Sequence, residues 1–216
     1  MHTRWMQAAI LAVGLGALGS VAASAQMKEV NSLSKTDVSA SVYGAFSGTT
    51  SANGAQQSPS NSAGGIIEVR YLAKTLVGFE GTYSFNHADQ TYSELICPVN
   101  SSVPTCNVAQ TVKANAHELT ADYVPSVKIG NLRPFGVLGL GLLLNEPSSG
   151  QTSTTSSNKA VYVYGAGLDW GLLPHIGLRL QYRGNLYKAP DLSTVYGSTG
   201  AFTHTAEPMV GVYFRL

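Results

Sequence analysis

Charged residues at alternate positions in otherwise apolar stretches are the first candidates for chemistry in this sequence. Carboxylates and guanidiniums placed side by side could form an ion path, act as a catalytic dyad, or pair with one another in a buried network. A buried charge must be paired whether or not it performs a reaction, so mutual pairing in a salt-bridged plug is the preferred interpretation. The set consists of Glu68, Arg70, Glu80, Glu118, Asp122, Asp169, Arg179, Arg183, Glu207 and Arg215.

The histidines decide whether a hydrolytic site is expected. Such a site needs an imidazole beside a serine or an acid. His87 and His117 each have an acid close in sequence, but adjacent residues of a strand point to opposite faces. His204 falls on an apolar face and His175 in a short turn. The sequence therefore predicts no catalytic residues, no cofactor and no metal site.

Two cysteines, Cys97 and Cys106, lie in a polar segment with Pro98 and Pro104 between them. An even count in an exported chain favours a disulfide. Closing so short a loop stabilises a protein by about 2 to 3 kcal/mol. We therefore predict a disulfide that staples an exposed loop, since two cysteines are too few ligands for a metal.

The first 25 residues predict export. Arg4 gives a positive start, residues 6–22 are apolar, and Ala23-Ser24-Ala25 fits a cleavage site. The alternative is an uncleaved membrane anchor. Cleavage would remove Arg4 and leave 12 basic and 12 acidic residues, a balance that does not suggest a nucleic-acid partner. Residues 26–36 are expected to form a short periplasmic lead-in.

The elements that must position the charged side chains are strands, because apolar and polar residues alternate with a period of two from residue 37 onward. The predicted strands lie at about 38–47, 64–73, 77–85, 111–124, 132–144, 160–170, 176–187 and 207–216. Long polar connections alternate with short turns; the long ones are 48–63, 87–110, 145–159 and 188–200. This alternation predicts an all-β fold, an eight-stranded antiparallel up-and-down transmembrane β-barrel over residues 37–216.

Two features favour a barrel in lipid over a soluble lipocalin-like barrel, which would show the same periodicity and remains the alternative. Aromatic residues fall on the apolar face near both strand ends, as expected for belts at the two membrane interfaces. They are Tyr71, Tyr123, Trp170 and Phe214 on the side of the short turns, and Tyr83, Tyr162 and Tyr182 toward the long loops. The charged face carries both signs, which suits pairing inside a narrow lumen.

The end of the sequence carries a family resemblance. Gly211, Phe214 and Leu216 resemble the terminal assembly signal of outer-membrane barrels, in which the last residue is usually aromatic. The eight-strand plan resembles the OmpA- and OmpX-like family of small outer-membrane barrels over about residues 37–216. The resemblance implies a location in the cell outer membrane, contact with outer-membrane lipid, and delivery by the barrel assembly machinery.

The expected function is a structural or surface-interaction role, in envelope integrity or adhesion, with a lumen filled by side chains. The long loops, rich in Ser, Thr, Gly and Asn, could bind a surface ligand. A barrel enzyme acting on lipid A or peptides at the outer rim and a small pore are the alternatives. The protein is expected to be a monomer, and not an enzyme.

Overall fold

The computed structural model describes residues 35–94 and 109–216, which form ten β-strands. In chain order they are β1 (Thr36–Ser47), β2 (Thr50–Ala52), β3 (Ala55–Pro59), β4 (Ser62–Lys74), β5 (Val77–Glu94), β6 (Ala109–Tyr123), β7 (Leu132–Pro147), β8 (Ser157–Gly171), β9 (Ile176–Lys188) and β10 (Phe202–Arg215). No helix in these two ranges is long and apolar enough to cross a membrane.

Eight long strands close into an antiparallel barrel, as the sequence predicts. Each of β4 to β9 pairs with the strand before and after it along the barrel, and β1 pairs with both β4 and β10. The closing register places Asp37 opposite Arg215 and Ser47 opposite Thr205. The first and last long strands therefore form the seam, and no long strand is left with an unpaired edge.

The two ends of the barrel differ. At the turn side, short connections join β4 to β5, β6 to β7 and β8 to β9, and both β1 and β10 have their free ends there. At the loop side lie the connections 48–61, 148–156 and 189–201, and there β5 ends and β6 begins. The predicted alternation of short and long connections is confirmed.

Apolar side chains point outward and charged side chains point inward. Leu138, Leu140 and Leu142 are 60%, 65% and 55% exposed, whereas Arg179 and Arg183 are fully buried. A soluble barrel would hide the leucines, so this arrangement excludes the lipocalin-like alternative. The seven predicted belt aromatics are all at least 36% exposed on the outer face.

Three predicted loop boundaries are wrong, because strands continue beyond the lipid-facing pattern. Residues 48–63, predicted as a loop, contain β2 and β3, joined by a turn at Asn53-Gly54 where both residues have positive φ. The predicted loop 87–110 begins as the upper part of β5, which pairs with β3 and β6 as far as Ser93 and Glu94. The predicted loop 145–159 is shortened by β7 and β8, whereas β10 begins at Phe202, just after the predicted loop 188–200.

Candidate functional site

The barrel interior holds nine of the ten predicted charged side chains. All nine are at most 5% exposed; the tenth, Arg215, is only half-buried at the turn side, where its guanidinium lies 5.7 Å from the centre of the Tyr213 ring. Asp37 is a further buried carboxylate that the predicted set lacks. Its position on the same face as Ser39 and Ser41, at the first strand residues, is the signal that could have revealed it.

A turn-side cluster is centred on Arg179. Its guanidinium Nη2 lies 2.9 Å from Asp37 Oδ1, its Nη1 lies 2.9 Å from Glu68 Oε2, and its Nε lies 2.7 Å from Asp169 Oδ1. Nη1 also donates to Ser39 Oγ at 2.7 Å, and Ser39 in turn donates to Glu68. One arginine on β9 thereby ties β1, β4 and β8 together across the lumen.

Arg70 completes the turn-side cluster. Its Nε donates to Glu80 Oε2 at 2.6 Å on the neighbouring strand, and its Nη1 donates to Asp169 Oδ2 at 3.1 Å across the barrel. The guanidinium carbon lies 4.0 Å above the centre of the Phe135 ring. The aromatic face supplies a cation–π contact that is stronger in a dry interior than in water.

A loop-side cluster lies one layer nearer the loops, around Arg183. Its Nη2 lies 3.1 Å from Glu118 Oε1, and its Nη1 lies 3.9 Å from Asp122 Oδ2. Thr82 and Thr120 hydroxyls accept from the same guanidinium at 3.2 and 3.3 Å. Two glycines on β7, the strand next to β6, make room for this layer. A Cβ at Gly139 would collide with the Asp122 carboxylate. A Cβ at Gly141 would collide with Leu119 O and would lie 2.7 Å from Thr120 Cα.

The interior is richer in acids than in bases. In the described part of the chain seven buried carboxylates face three buried guanidiniums; the carboxylates are those of Asp37, Glu68, Glu80, Glu118, Asp122, Asp169 and Glu207. An eight-stranded barrel leaves a bore that side chains just fill, so two charged layers occupy its cross-section. Such an arrangement can hold the sheet closed and obstruct passage through the barrel.

A small cavity lies above the loop-side cluster. Its volume is about 40 Å³, and Glu118, Asn185 and Glu207 line it together with Tyr43 and Tyr187. The wall is made of short polar or small side chains, including Ser62, Ser84, Asn86, Ala116 and Asn145. The cavity is polar and roomy enough for about three water molecules.

The loop-side connections pack into one body, here called the cap (residues 50–59, 89–94, 109–114, 153–157 and 189–199). Tyr92 Oη donates to Pro190 O at 2.7 Å and accepts from Leu192 N at 3.0 Å, while Gln57 Nε2 donates to Pro190 O at 3.0 Å. Tyr92, Leu192, Val112 and Ala114 form a buried apolar cluster, in which Leu192 and Val112 are fully buried. The cap therefore has its own small core.

Two further contacts fix the 189–199 segment to its neighbours. Asn53 Nδ2 donates to Thr199 O at 3.1 Å from the β2–β3 turn. Lys159 Nζ donates to Asp191 Oδ2 at 2.8 Å from the start of β8. Partial burial of Asp191 would raise the pKa of its carboxyl, but hydrogen bonds from Lys159 and Ser198, together with the lysine charge, outweigh burial and lower that pKa below its ordinary value.

The histidines do not approach a carboxylate or a serine in the contacts of the described residues. Tyr83 Oη and His117 Nδ1 are 2.8 Å apart, Tyr164 Oη and His204 Nε2 are 2.8 Å apart, and His87 Nδ1 lies 2.9 Å from Asn115 Oδ1. His175 Nδ1 contacts the Arg215 carbonyl at the turn side. In residues 35–94 and 109–216 no group of three or more His, Cys, Asp or Glu side chains is placed to hold a metal ion.

The predicted disulfide, signal peptide and assembly signal involve residues other than the charged side chains of the barrel interior. Cys97 and Cys106, with the proposed disulfide, and residues 1–34, with the proposed signal peptide and most of the lead-in, fall outside the described residues. Of the proposed assembly signal, Phe214 and Leu216 are 53% and 43% exposed on the outer face, and Gly211 packs closely against Ser41 and Ala40 of β1 across the seam. The role of these three residues in assembly stays a prediction.

The comparison with known families agrees with this geometry. A family model described as "Outer membrane protein beta-barrel domain" matches residues 11–214. The chain belongs to this family. As a member of the outer membrane protein beta-barrel family it lies in the outer membrane of the cell, and the expected resemblance to small outer-membrane barrels is confirmed.

Solved structures show the same fold at low sequence identity. Neisserial surface protein A superposes with a TM-score of 0.51 at 14% identity, covering 85% of this chain and 98% of that one. The outer membrane protein OprG from Pseudomonas aeruginosa superposes with a TM-score of 0.50 at 11% identity, covering 85% and 96%. No protein with curated annotation matches this chain.

Proposed function

We propose that the protein is a sealed outer-membrane barrel that holds a rigid β-structured cap outside the cell, and that the cap binds a partner there in adhesion or in support of envelope integrity. The observation that carries this proposal is the cap, in which separate loop-side connections share one small core and direct hydrogen bonds. Long loops of outer-membrane barrels face the exterior, so this body is the part that a partner outside the cell would meet.

The filled lumen supports a sealed barrel in preference to a pore. Arg70, Arg179 and Arg183 have no exposed surface, and each is held by at least one carboxylate within 3.1 Å. Moving an ion past these layers would require breaking buried pairs, each of which costs about 3 to 5 kcal/mol when one partner is lost.

The cap's order supports binding in preference to shielding alone. A loop that is already held in one conformation loses less entropy on binding than a mobile loop, at about 0.5 to 1.5 kcal/mol for each side chain that need not be immobilised. Residues 48–63 contain no charged residue. A partner that contacts this segment of the cap would therefore be recognised there by hydrogen bonds and apolar contacts more than by charge.

The outward histidines support a non-enzymatic role. His117 and His204 bond to tyrosines, and His87 bonds to an asparagine. Without an acid or a base to set its charge, none of these imidazoles is arranged as a general base for a nucleophile. Tyrosine and histidine at a lipid–water interface instead serve as polar anchors.

Conductance tests the sealed barrel. Purified protein in a planar lipid bilayer should give no steady channel current, whereas a variant that removes a central guanidinium, Arg183→Ala, should leak or show transient openings. Steady conductance of the wild type would contradict the sealed barrel and favour the small pore.

Adhesion and detergent sensitivity test the role of the cap. Cells that produce the Gln57→Ala, Tyr92→Phe double variant, which loses five of the cap's hydrogen bonds, should adhere less to matrix-coated or bare plastic and resist bile salts less well. The control is Thr91→Ala, whose half-buried side chain lies on the opposite face of the same strand and contacts Thr111 instead of the 189–199 segment. Equal adhesion and equal resistance in wild-type, variant and protein-free cells would overturn the proposed role.

A further inference from the structure

The cavity above the loop-side cluster has unbalanced charge beneath it. Glu118, Asp122 and Glu207 are buried in this layer, and Arg183 is the only buried guanidinium among its described residues. Arg183 contacts Glu118 and Asp122, and no Lys or Arg of the described residues forms an ion pair with Glu207. Arg183 lies opposite Glu207 in the strand register but forms its ion pairs with the other two carboxylates, so a further cation or a proton is needed to compensate the three buried acids.

Two oxygen atoms in the cavity lining lack a hydrogen-bond donor. Glu207 Oε2 and Asn185 Oδ1 are both buried and unpartnered, in residues that are 5% and 1% exposed. The orientation of the Asn185 amide is fixed, because its Nδ2 donates to Glu118 Oε2 at 2.9 Å and a carboxylate can only accept. Its oxygen is therefore turned away from Glu118 as an acceptor.

The strand register brings these two acceptors together. In the register of β9 and β10, the backbone of Asn185 lies opposite Thr205 and that of Arg183 lies opposite Glu207. Asn185 and Glu207 are therefore diagonal neighbours on the inner face. A carboxylate oxygen, an amide oxygen and the hydroxyl and amide groups of the wall thus converge on one cavity of about 40 Å³.

We propose that this cavity binds a hard divalent cation of the calcium type, with Glu207 as the charged ligand and Asn185 as the amide ligand. None of the described residues that line the cavity is His or Cys, so the metal-ligating atoms that they offer are oxygens. Calcium accepts carboxylate, amide and water oxygens in a flexible shell of six to eight ligands, whereas softer metals prefer nitrogen or sulfur. The cavity volume accommodates one ion with a few water molecules, but no larger ammonium compound.

Terbium luminescence tests this site, because Tb³⁺ replaces Ca²⁺ and is sensitised by nearby tyrosines. Tyr43 and Tyr187 line the cavity. Full-length protein is refolded in detergent micelles with Tb³⁺ present, so that access through the cap does not limit binding. We expect saturable tyrosine-sensitised emission that Ca²⁺ displaces and Na⁺ or K⁺ at equal concentration does not.

The variant Glu207→Gln keeps the shape of the side chain and removes its charge. It should weaken Tb³⁺ binding by about tenfold to 100-fold. Ca²⁺ should raise the Tm of the wild type and not that of the variant. The control Glu146→Gln removes a loop-side carboxylate outside the cavity lining and should leave both readouts unchanged.

Wild-type protein alone can overturn the proposal if the variant does not fold. No sensitised emission after refolding with Tb³⁺ would show that a proton or water compensates Glu207. Equal displacement by Na⁺ would exclude a divalent-specific site, and undiminished binding to Glu207→Gln would place the ion elsewhere. Adhesion and conductance do not enter this test, so it stands or falls separately from the proposed function.

Discussion

Arg179 should be the side chain on which the stability of the barrel depends most. Its guanidinium donates five hydrogen bonds, four of them to the carboxylates of Asp37, Glu68 and Asp169, and none of its surface is exposed. The change Arg179→Met keeps an apolar stem of similar length and removes all five. Three carboxylates would then remain in the lumen without this cation.

The expected loss follows from those contacts. Removing one partner of a buried ion pair costs about 3 to 5 kcal/mol, and a hydrogen bond to a charged group contributes about 1.5 to 3 kcal/mol. Since these contributions share one side chain, they do not add, and we expect the free energy of unfolding to fall by about 5 kcal/mol or more. Arg179→Lys keeps the charge but loses the planar fork, so its loss should be intermediate.

The assay is reversible urea unfolding in detergent micelles, followed by Trp170 fluorescence and by the migration of unheated protein on a gel. The matched control is Lys159→Met, which breaks a partly exposed ion pair between β8 and the cap and should cost less than about 1 kcal/mol. A loss below about 1 kcal/mol for Arg179→Met would refute the reasoning. It would mean that protons or water already compensate the carboxylates and that the network contributes little stability.

Three further outcomes are expected. Phe214→Asp should abolish insertion, because a charge would then face lipid on the closing strand β10. The readout is the loss of the heat-modifiable folded band from outer-membrane fractions. Phe202→Asp, on the same face at the loop-side end of β10, should still insert. Gly141→Ala should lower the free energy of unfolding by about 1 to 3 kcal/mol through collision with β6, whereas Gly81→Ala, with open space around the added Cβ, should be neutral in the same urea assay. In an NMR pH series the pKa of the Asp191 carboxyl should lie below the ordinary value of an aspartate, and removing its lysine partner should raise it. Because the folded pKa is lowered, the stability from this pair is present above the unfolded pKa and is lost as the pH falls through the folded pKa.

The alternation of apolar and polar residues along each strand is the part of the fold that can be predicted most directly from the sequence. A strand that faces lipid on one side and a polar lumen on the other has no freedom to mix the two classes, so Leu138, Leu140 and Leu142 alternate with inward residues along β7. Inward charges such as Arg70 and Arg183 could be assigned to one face for the same reason.

The strands of the cap could not be predicted from the sequence, because they lie beyond the lipid. Above the lipid both faces of a strand meet polar surroundings, and the alternation in residues 87–94 fades into a pattern typical of loops. The β2–β3 hairpin carried one signal, Asn53-Gly54, whose positive φ values suit a tight hairpin turn, but its flanking residues lack apolar alternation.

The partners of each charge could not be read from the sequence. Arg179 contacts Asp37, which lies 142 positions away, and Arg70 contacts Asp169, which lies 99 positions away. Such pairs depend on the stagger of every strand between them, and alternation fixes the face of a residue without fixing its height. For the same reason, the sequence could not predict that oxygen atoms of Asn185 and Glu207 in the cavity lining lack a hydrogen-bond donor.

The seam between β1 and β10 makes the ionic interior dependent on the whole chain. Asp37 and Ser39 belong to β1 and their arginine lies on β9, so the complete turn-side cluster requires the ring that the β1–β10 seam closes. Contacts of such long sequence separation form slowly. Until then the future lumen is an open, charged surface bound to water, which opposes entry of a half-built sheet into lipid, and closure of the ring removes that barrier in one cooperative step.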